Sequence, residues 1–200
     1  LSYQPALYGD GQYWEVANAP LENYETIEEI EANYRWPSPD DWDYSHLPDE
    51  VQKYPDRLIR GGGSEPFLRY KTLRGEAQSY MDLIENPELA NYILDKLFDL
   101  AYEDTRRMFE TVPGQIHQTY VSEDLGSQHS LLISVEHMRE YLFPRMKRMM
   151  DLTHEAGATV FHHDDGAIFS IISELIELGI DILNPIQWRL PGMEREKLKA

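Results

Sequence analysis

Two histidines and two aspartates, His162 to Asp165, stand directly after the apolar run Thr159–Phe161 and directly before Gly166. Imidazole and carboxylate are the groups with which a protein lacking thiolates can hold a divalent cation, and they also move protons near neutral pH. This chain has no cysteine. On an extended segment side chains alternate, so His163 and Asp165 share one face and His162 and Asp164 share the other. One pair can enter a site while the other packs. The competing reading is plain: an aspartate here can cap the following helix, a role that stabilises by about 1 kcal/mol and needs no function.

Further polar residues gather at neighbouring positions of the same kind. Glu123 and Asp124 follow the alternating run 116–121, and adjacent carboxylates can act as acid and base when burial separates their pKa values. Gln128 is a weaker candidate in the same loop. Asn184 and Gln187 follow the run 180–183 and can hydrogen-bond a substrate, or can form the turn that Pro185 shapes. Arg60 closes a short apolar run, 57–60, ahead of Gly61, Gly62 and Gly63, and can hold an acidic substrate. The three glycines match neither phosphate-binding pattern, so a tight turn is expected.

The elements that must position these residues follow from periodicity. Leu89, Ile93, Leu97, Leu100 and Ala101 predict a long helix from Pro87 to about Phe109, ended by Pro113 and Gly114. Ser134 caps a second helix to about Glu155, with a kink expected at Pro144, and Met146, Met149 and Met150 fill its packing gaps. A third helix runs from Ala167 to Leu178, with Ile171, Ile172, Leu175 and Ile176 inward. With strands at 57–60, 116–121, 158–163 and 180–183, this alternation predicts right-handed βαβ units on a parallel sheet. Chemistry in such folds sits beyond the C-terminal ends of the strands. Towards the N-terminus, residues 1–24 read as irregular, Thr26 and Glu29 form a capping box for a short helix, and prolines keep residues 36–43 as loop. The whole reads as one domain: an excursion over 1–55, then successive βα units over 56–200. Four strands do not close an eight-stranded barrel, so an internal piece of a larger protein is expected.

Composition narrows the partners. The formal charge is −18, from 36 acidic and 18 basic residues. That balance opposes the phosphate attraction behind nucleic-acid binding. No apolar run approaches the roughly 18–20 residues that cross a bilayer, and residues 1–20 lack the features of a signal peptide, so a cytoplasmic protein is expected.

Beyond these readings, Pro20-Leu21, Thr26 to Glu29, Trp36-Pro37, SEDLGSQ with ISVEHMREYLFPRMKRM, HHDDG and ELGIDILNPIQ, in this order, resemble the uroporphyrinogen decarboxylase superfamily from about residue 13 to residue 198. The resemblance implies an α/β fold of the TIM-type (β/α)8 barrel class, of which this chain covers about strands 3 to 6. Its spacing is nearer the methyltransferase branch, whose members move methyl groups between corrinoid proteins, small molecules and thiols. There the matching motif is H-x-C-G, with His and Cys on zinc. Here His163 holds the histidine position and Asp165 replaces the cysteine, a substitution that zinc tolerates chemically.

Three functions follow as expectations. The first is methyl transfer, with a divalent metal, zinc foremost, at His163 and Asp165, Glu123, Asp124 and His163 catalytic, Arg60, Gln128, Asn184 and Gln187 on the substrate, and a corrinoid protein as partner. The second is metal-free decarboxylation of a porphyrinogen-like acid. The third is a non-catalytic fragment or binding module, since half a barrel exposes sheet edges and should self-associate.

Overall fold

The computed structural model describes residues 2–8 and 11–199. The chain opens with strands β1 (Ser2–Tyr8) and β2 (Gly11–Asn18), then helices α1 (Ile27–Asn33) and α2 (Leu47–Gln52). Strand β3 (Arg60–Ser64) leads into helices α3 (Pro66–Arg74), α4 (Glu76–Glu85) and α5 (Pro87–Thr111). Strand β4 (Gln118–Val121) is followed by α6 (Val135–His137), a π-turn over Met138–Leu142, and α7 (Phe143–Glu155). Strand β5 (Thr159–His163), helix α8 (Phe169–Leu178), strand β6 (Ile182–Asn184) and helix α9 (Arg195–Leu198) complete it.

Two compact units divide the chain. The first takes residues 1–36 and 67–97. Its core is Leu21, Ile30, Phe67, Tyr70, Leu73, Leu83, Leu89, Ile93 and Leu94, all buried. At its centre the guanidinium of Arg74 meets the carboxylate of Asp82 with Nε 2.7 Å from Oδ2. The same guanidinium donates to the backbone carbonyls of Leu21 and Glu22, and Asp82 also accepts from Tyr70 and Gln78. Burial alone would raise the Asp82 carboxyl, but these hydrogen bonds outweigh it and hold its pKa below the ordinary value. Within residues 1–24, expected to be irregular, β1 and β2 instead pair antiparallel from Ser2↔Asn18 to Tyr8↔Gly11. Strand pairing between Tyr-, Trp- and Val-containing segments overrides the missing periodicity. The expected capping box is present, with Glu29 N–H donating to the Thr26 hydroxyl.

The second unit, residues 37–66 and 98–200, carries the four-stranded parallel sheet in the order β3-β4-β5-β6. Registration sets Tyr120 beside Phe161 and Phe161 beside Ile182, so these lie on one face with His163 and Asn184 two residues on. That face is partly open. On the other face Thr119, Val121, Val160 and His162 are fully buried. Helix α7 packs against β3, β4, β5 and α8 and buries Met146, Met149 and Met150. Where the strands begin, Phe109 of α5 and Val112 just after it close over Ile116 and Ala158.

Three expectations change here. Gly61–Gly63 are not a turn but part of β3. A Cβ on Gly63 would lie 1.8 Å from the Tyr120 carbonyl oxygen, so β3 can approach β4 only as glycine. The kink at Pro144 is a π-turn just before it: Phe143 N–H reaches back to Met138 O, absorbing the break that a residue without N–H imposes. In α8, Ile171 and Leu175 are buried, but Ile176 is 60% exposed. Among the described residues no helix is long and apolar enough to cross a membrane.

Candidate functional site

Beyond the ends of β4, β5 and β6 the backbones stay tied together. The His163 carbonyl accepts from the Ser122 hydroxyl at 2.7 Å and from Glu123 N–H at 3.2 Å, and the Asn184 carbonyl accepts from Asp164 N–H at 3.1 Å. The loops after β4 and β5 then touch backbone to backbone at two glycines. A Cβ on Gly126 would fall 2.4 Å from Asp165 O, and one on Gly166, whose φ is +97°, would fall 2.4 Å from the Gly126 carbonyl carbon. Only glycine permits that approach, and it brings the two loops' aspartates together.

The outcome is a triad of Asp124, His163 and Asp165, whose ligand atoms all lie within 4.8 Å of one another. His163 Nε2 is 3.7 Å from Asp124 Oδ1 and 4.0 Å from Asp165 Oδ2. The other ring nitrogen, Nδ1, is 3.2 Å from Asn184 Oδ1. With that oxygen accepting, Nδ1 carries the proton and Nε2 presents its lone pair to the aspartates. Asp165 is held in turn: Gln187 Nε2 donates to its Oδ1 at 3.1 Å, while Gly166 N–H donates to Gln187 Oε1 at 2.9 Å. All three triad side chains are half-buried, open enough for a ligand to reach.

The alternation read from the sequence divides the two pairs as anticipated. His162 and Asp164 are buried on the covered face, where His162 Nδ1 donates to the Val121 carbonyl at 2.7 Å and Asp164 Oδ1 accepts from Leu125 N–H at 2.9 Å. Their remaining atoms, His162 Nε2 and Asp164 Oδ2, face each other at 3.6 Å without a hydrogen-bond partner. Burial pushes the Asp164 carboxyl above the ordinary range, against the opposing pull of His162. This pair braces the strand end from behind.

Of the adjacent acids, Asp124 joins His163 and Asp165, whereas Glu123 is fully buried and lies outside the triad. Asn184 and Gln187, anticipated on a substrate, are bonded to His163 and Asp165. Arg60 lies over the Tyr120 and Phe161 rings, at 5.3 and 5.5 Å, and the Tyr120 ring stacks on His163 at 6.2 Å. Gln128 lines a pocket with Gln187 and Trp188. The sequence reading gave Gly126 no role of its own, although its place three residues after Glu123 mirrors that of Gly166 three after His163.

One imidazole nitrogen and two carboxylate oxygens form a donor set that suits zinc, manganese or ferrous iron. Its histidine tautomer is fixed and one carboxylate is anchored by an amide, the outer support that metal ligands require.

No family model matches the chain, and no curated protein does. Among solved structures it is similar to a methyltransferase from Methanosarcina mazei, with a TM-score of 0.64 and 16% identity, over 90% of this chain and 52% of that one. The two share a fold, and this chain spans about half the length of that structure.

Proposed function

We propose that this chain carries the metal-binding strands of a methyl-transfer enzyme built on a (β/α)8 barrel, taking a methyl group from a small molecule to a corrinoid protein or a thiol. The observation that carries the reading is the convergence of Asp124, His163 and Asp165 at the strand ends, with Asn184 fixing the imidazole tautomer. The fold shared with a methyltransferase supports it. A divalent cation, zinc foremost, would be held by these three side chains and supplies Lewis acidity toward the leaving group or the acceptor.

The chain's own residues do the rest. Two carboxylates and one neutral imidazole would balance a divalent cation and leave the loaded site without net charge, so an anionic acceptor would meet no net repulsion there. Tyr120 and Phe161 stack with ring centroids 6.0 Å apart beneath the Arg60 guanidinium and lead up to His163, so a substrate here meets aromatic edges and one cation. Gln187 keeps Asp165 from swinging away. In the reaction the bond from methyl carbon to its donor atom breaks, the donor atom leaves with the electron pair, and the acceptor's lone pair forms the new bond.

Methyl transfer to reduced free cobalamin from a panel of N-, S- and O-methyl compounds, with zinc-loaded protein, tests the reading. At least one donor should be consumed by the wild type and lost by about a hundredfold in Asp165→Ala. No transfer from any donor would contradict it.

A second reading, metal-free decarboxylation of an acidic substrate, is favoured by Arg60. Its guanidinium sits on the open sheet face above Tyr120 and Phe161 and has no acidic partner among the described residues. Carbon dioxide release from a porphyrinogen, unchanged after chelation, would establish it in place of methyl transfer.

A further inference from the structure

The turn after β6 builds a second feature beside the triad. Ile186, Gln187, Trp188, Arg189 and Leu190, with Gln128 from the loop after β4, line a shallow, open pocket of about 290 Å³. Gln187 joins it to the triad, because its side chain is bonded to the Asp165 carboxylate and to Gly166 N–H. Ile186 and Trp188 leave 41% and 38% of their surface open, an apolar wall with a few polar groups beside it, which is the ordinary make-up of a small-molecule site.

Charge identifies what would enter. Acids outnumber bases 36 to 18 in this chain, and Arg74, Arg106, Arg107, Arg139 and Arg148 each face a carboxylate. Arg189 and Arg195 face none among the described residues; both lie against the Trp188 ring instead, at 4.9 and 3.8 Å from its centroid. A guanidinium resting on an aromatic face keeps its N–H groups free at the edge, in the fork that suits a carboxylate. In so acidic a chain, two uncommitted guanidiniums on one tryptophan mark an anion site.

We propose that this pocket binds a small amphipathic carboxylic acid, with its apolar body on Ile186, Trp188 and Leu190 and its carboxylate on Arg189 of the pocket wall and on Arg195, which lies outside that lining against the same tryptophan. The bound acid thereby extends its other end toward Asp165. That orientation rests on the reading of the triad as the reacting centre; the binding itself does not.

Calorimetric titration of the chelator-treated chain with phenylacetate, and with its neutral isostere phenylacetamide, tests the proposal. Phenylacetate should bind saturably, and the amide at least tenfold more weakly. Arg189→Gln combined with Arg195→Gln should weaken phenylacetate by at least tenfold, and His163→Ala should leave it unchanged. Equal binding of acid and amide, undiminished binding to the double variant, or no saturable binding overturns the proposal. Loss in His163→Ala with retention in the double variant would also overturn it, by placing the carboxylate at the triad. Zinc content is read separately, so the triad can stand when the pocket fails and the reverse.

Discussion

His163 Nδ1 and Asn184 Oδ1 lie 3.2 Å apart, and this contact between the ends of β5 and β6 decides which imidazole nitrogen faces Asp124 and Asp165. Without it the ring is free to rotate and to shift its proton to Nε2. Outer partners of this kind are typically worth about 10- to 100-fold in metal affinity. Asn184→Ala should therefore weaken zinc binding by that factor in a chelator competition, and Asn184→Asp, which keeps the acceptor, should restore most of it. Equal affinity in Asn184→Ala would remove Asn184 from the site.

Gly166 should resist substitution more than its place in a loop suggests. Its φ of +97° costs an L-residue about 1–3 kcal/mol, and a Cβ would also strike the Gly126 backbone. Gly166→Ala is expected to lower the melting temperature and to separate Asp124 from Asp165, so zinc affinity falls with stability. A variant that melts like the wild type would show that the two loops do not need this contact.

Asp82 is the residue of the first unit on which stability should depend most. Removing one partner of a buried ion pair costs about 3–5 kcal/mol, because the other charge is left uncompensated. Asp82→Ala strands Arg74, whose remaining partners are the Leu21, Glu22 and Tyr24 carbonyls. The pH dependence has a definite sign. A folded pKa below the unfolded 3.8 means that the stabilisation is complete above about pH 4 and is lost as pH falls through the folded value. Denaturant titrations from pH 7 to pH 2.5 should show a steeper acid loss in the wild type than in Asp82→Asn.

Asp164 should behave oppositely to Asp82 on substitution. Asn at this position keeps an oxygen for Leu125 N–H and offers an N–H to His162 Nε2, where two acceptors now face each other unless a proton lies between them. Asp164→Asn is thus expected to be at least as stable as the wild type at pH 7, as read by chemical denaturation. Asp164→Leu, which abandons Leu125 N–H in a buried place, should lose about 1–3 kcal/mol.

Much of this arrangement is legible in the amino-acid sequence. Periodicities of two and 3.6 placed β4, β5 and the helices around them, and strand alternation separated His163 and Asp165 from His162 and Asp164. The register between strands was not legible, so the sequence could not tell whether Glu123 or Asp124 would reach the triad, nor that Asn184 would sit beside His163. Local conformation hid the rest. Nothing in the composition of the segments that form β1 and β2 distinguishes paired strands from a loop, and Gly61–Gly63 resemble a turn unless the proximity of Tyr120 is known. Arg189 and Arg195 are six residues apart, and only the fold of the last segment brings both to Trp188.

Zinc per chain is the most direct test of the central claim. Elemental analysis after equilibration with zinc and gel filtration should give close to one ion in the wild type and almost none in His163→Ala, with circular dichroism unchanged between them. Equal zinc in the two proteins, or none in either, would contradict a metal site at Asp124, His163 and Asp165.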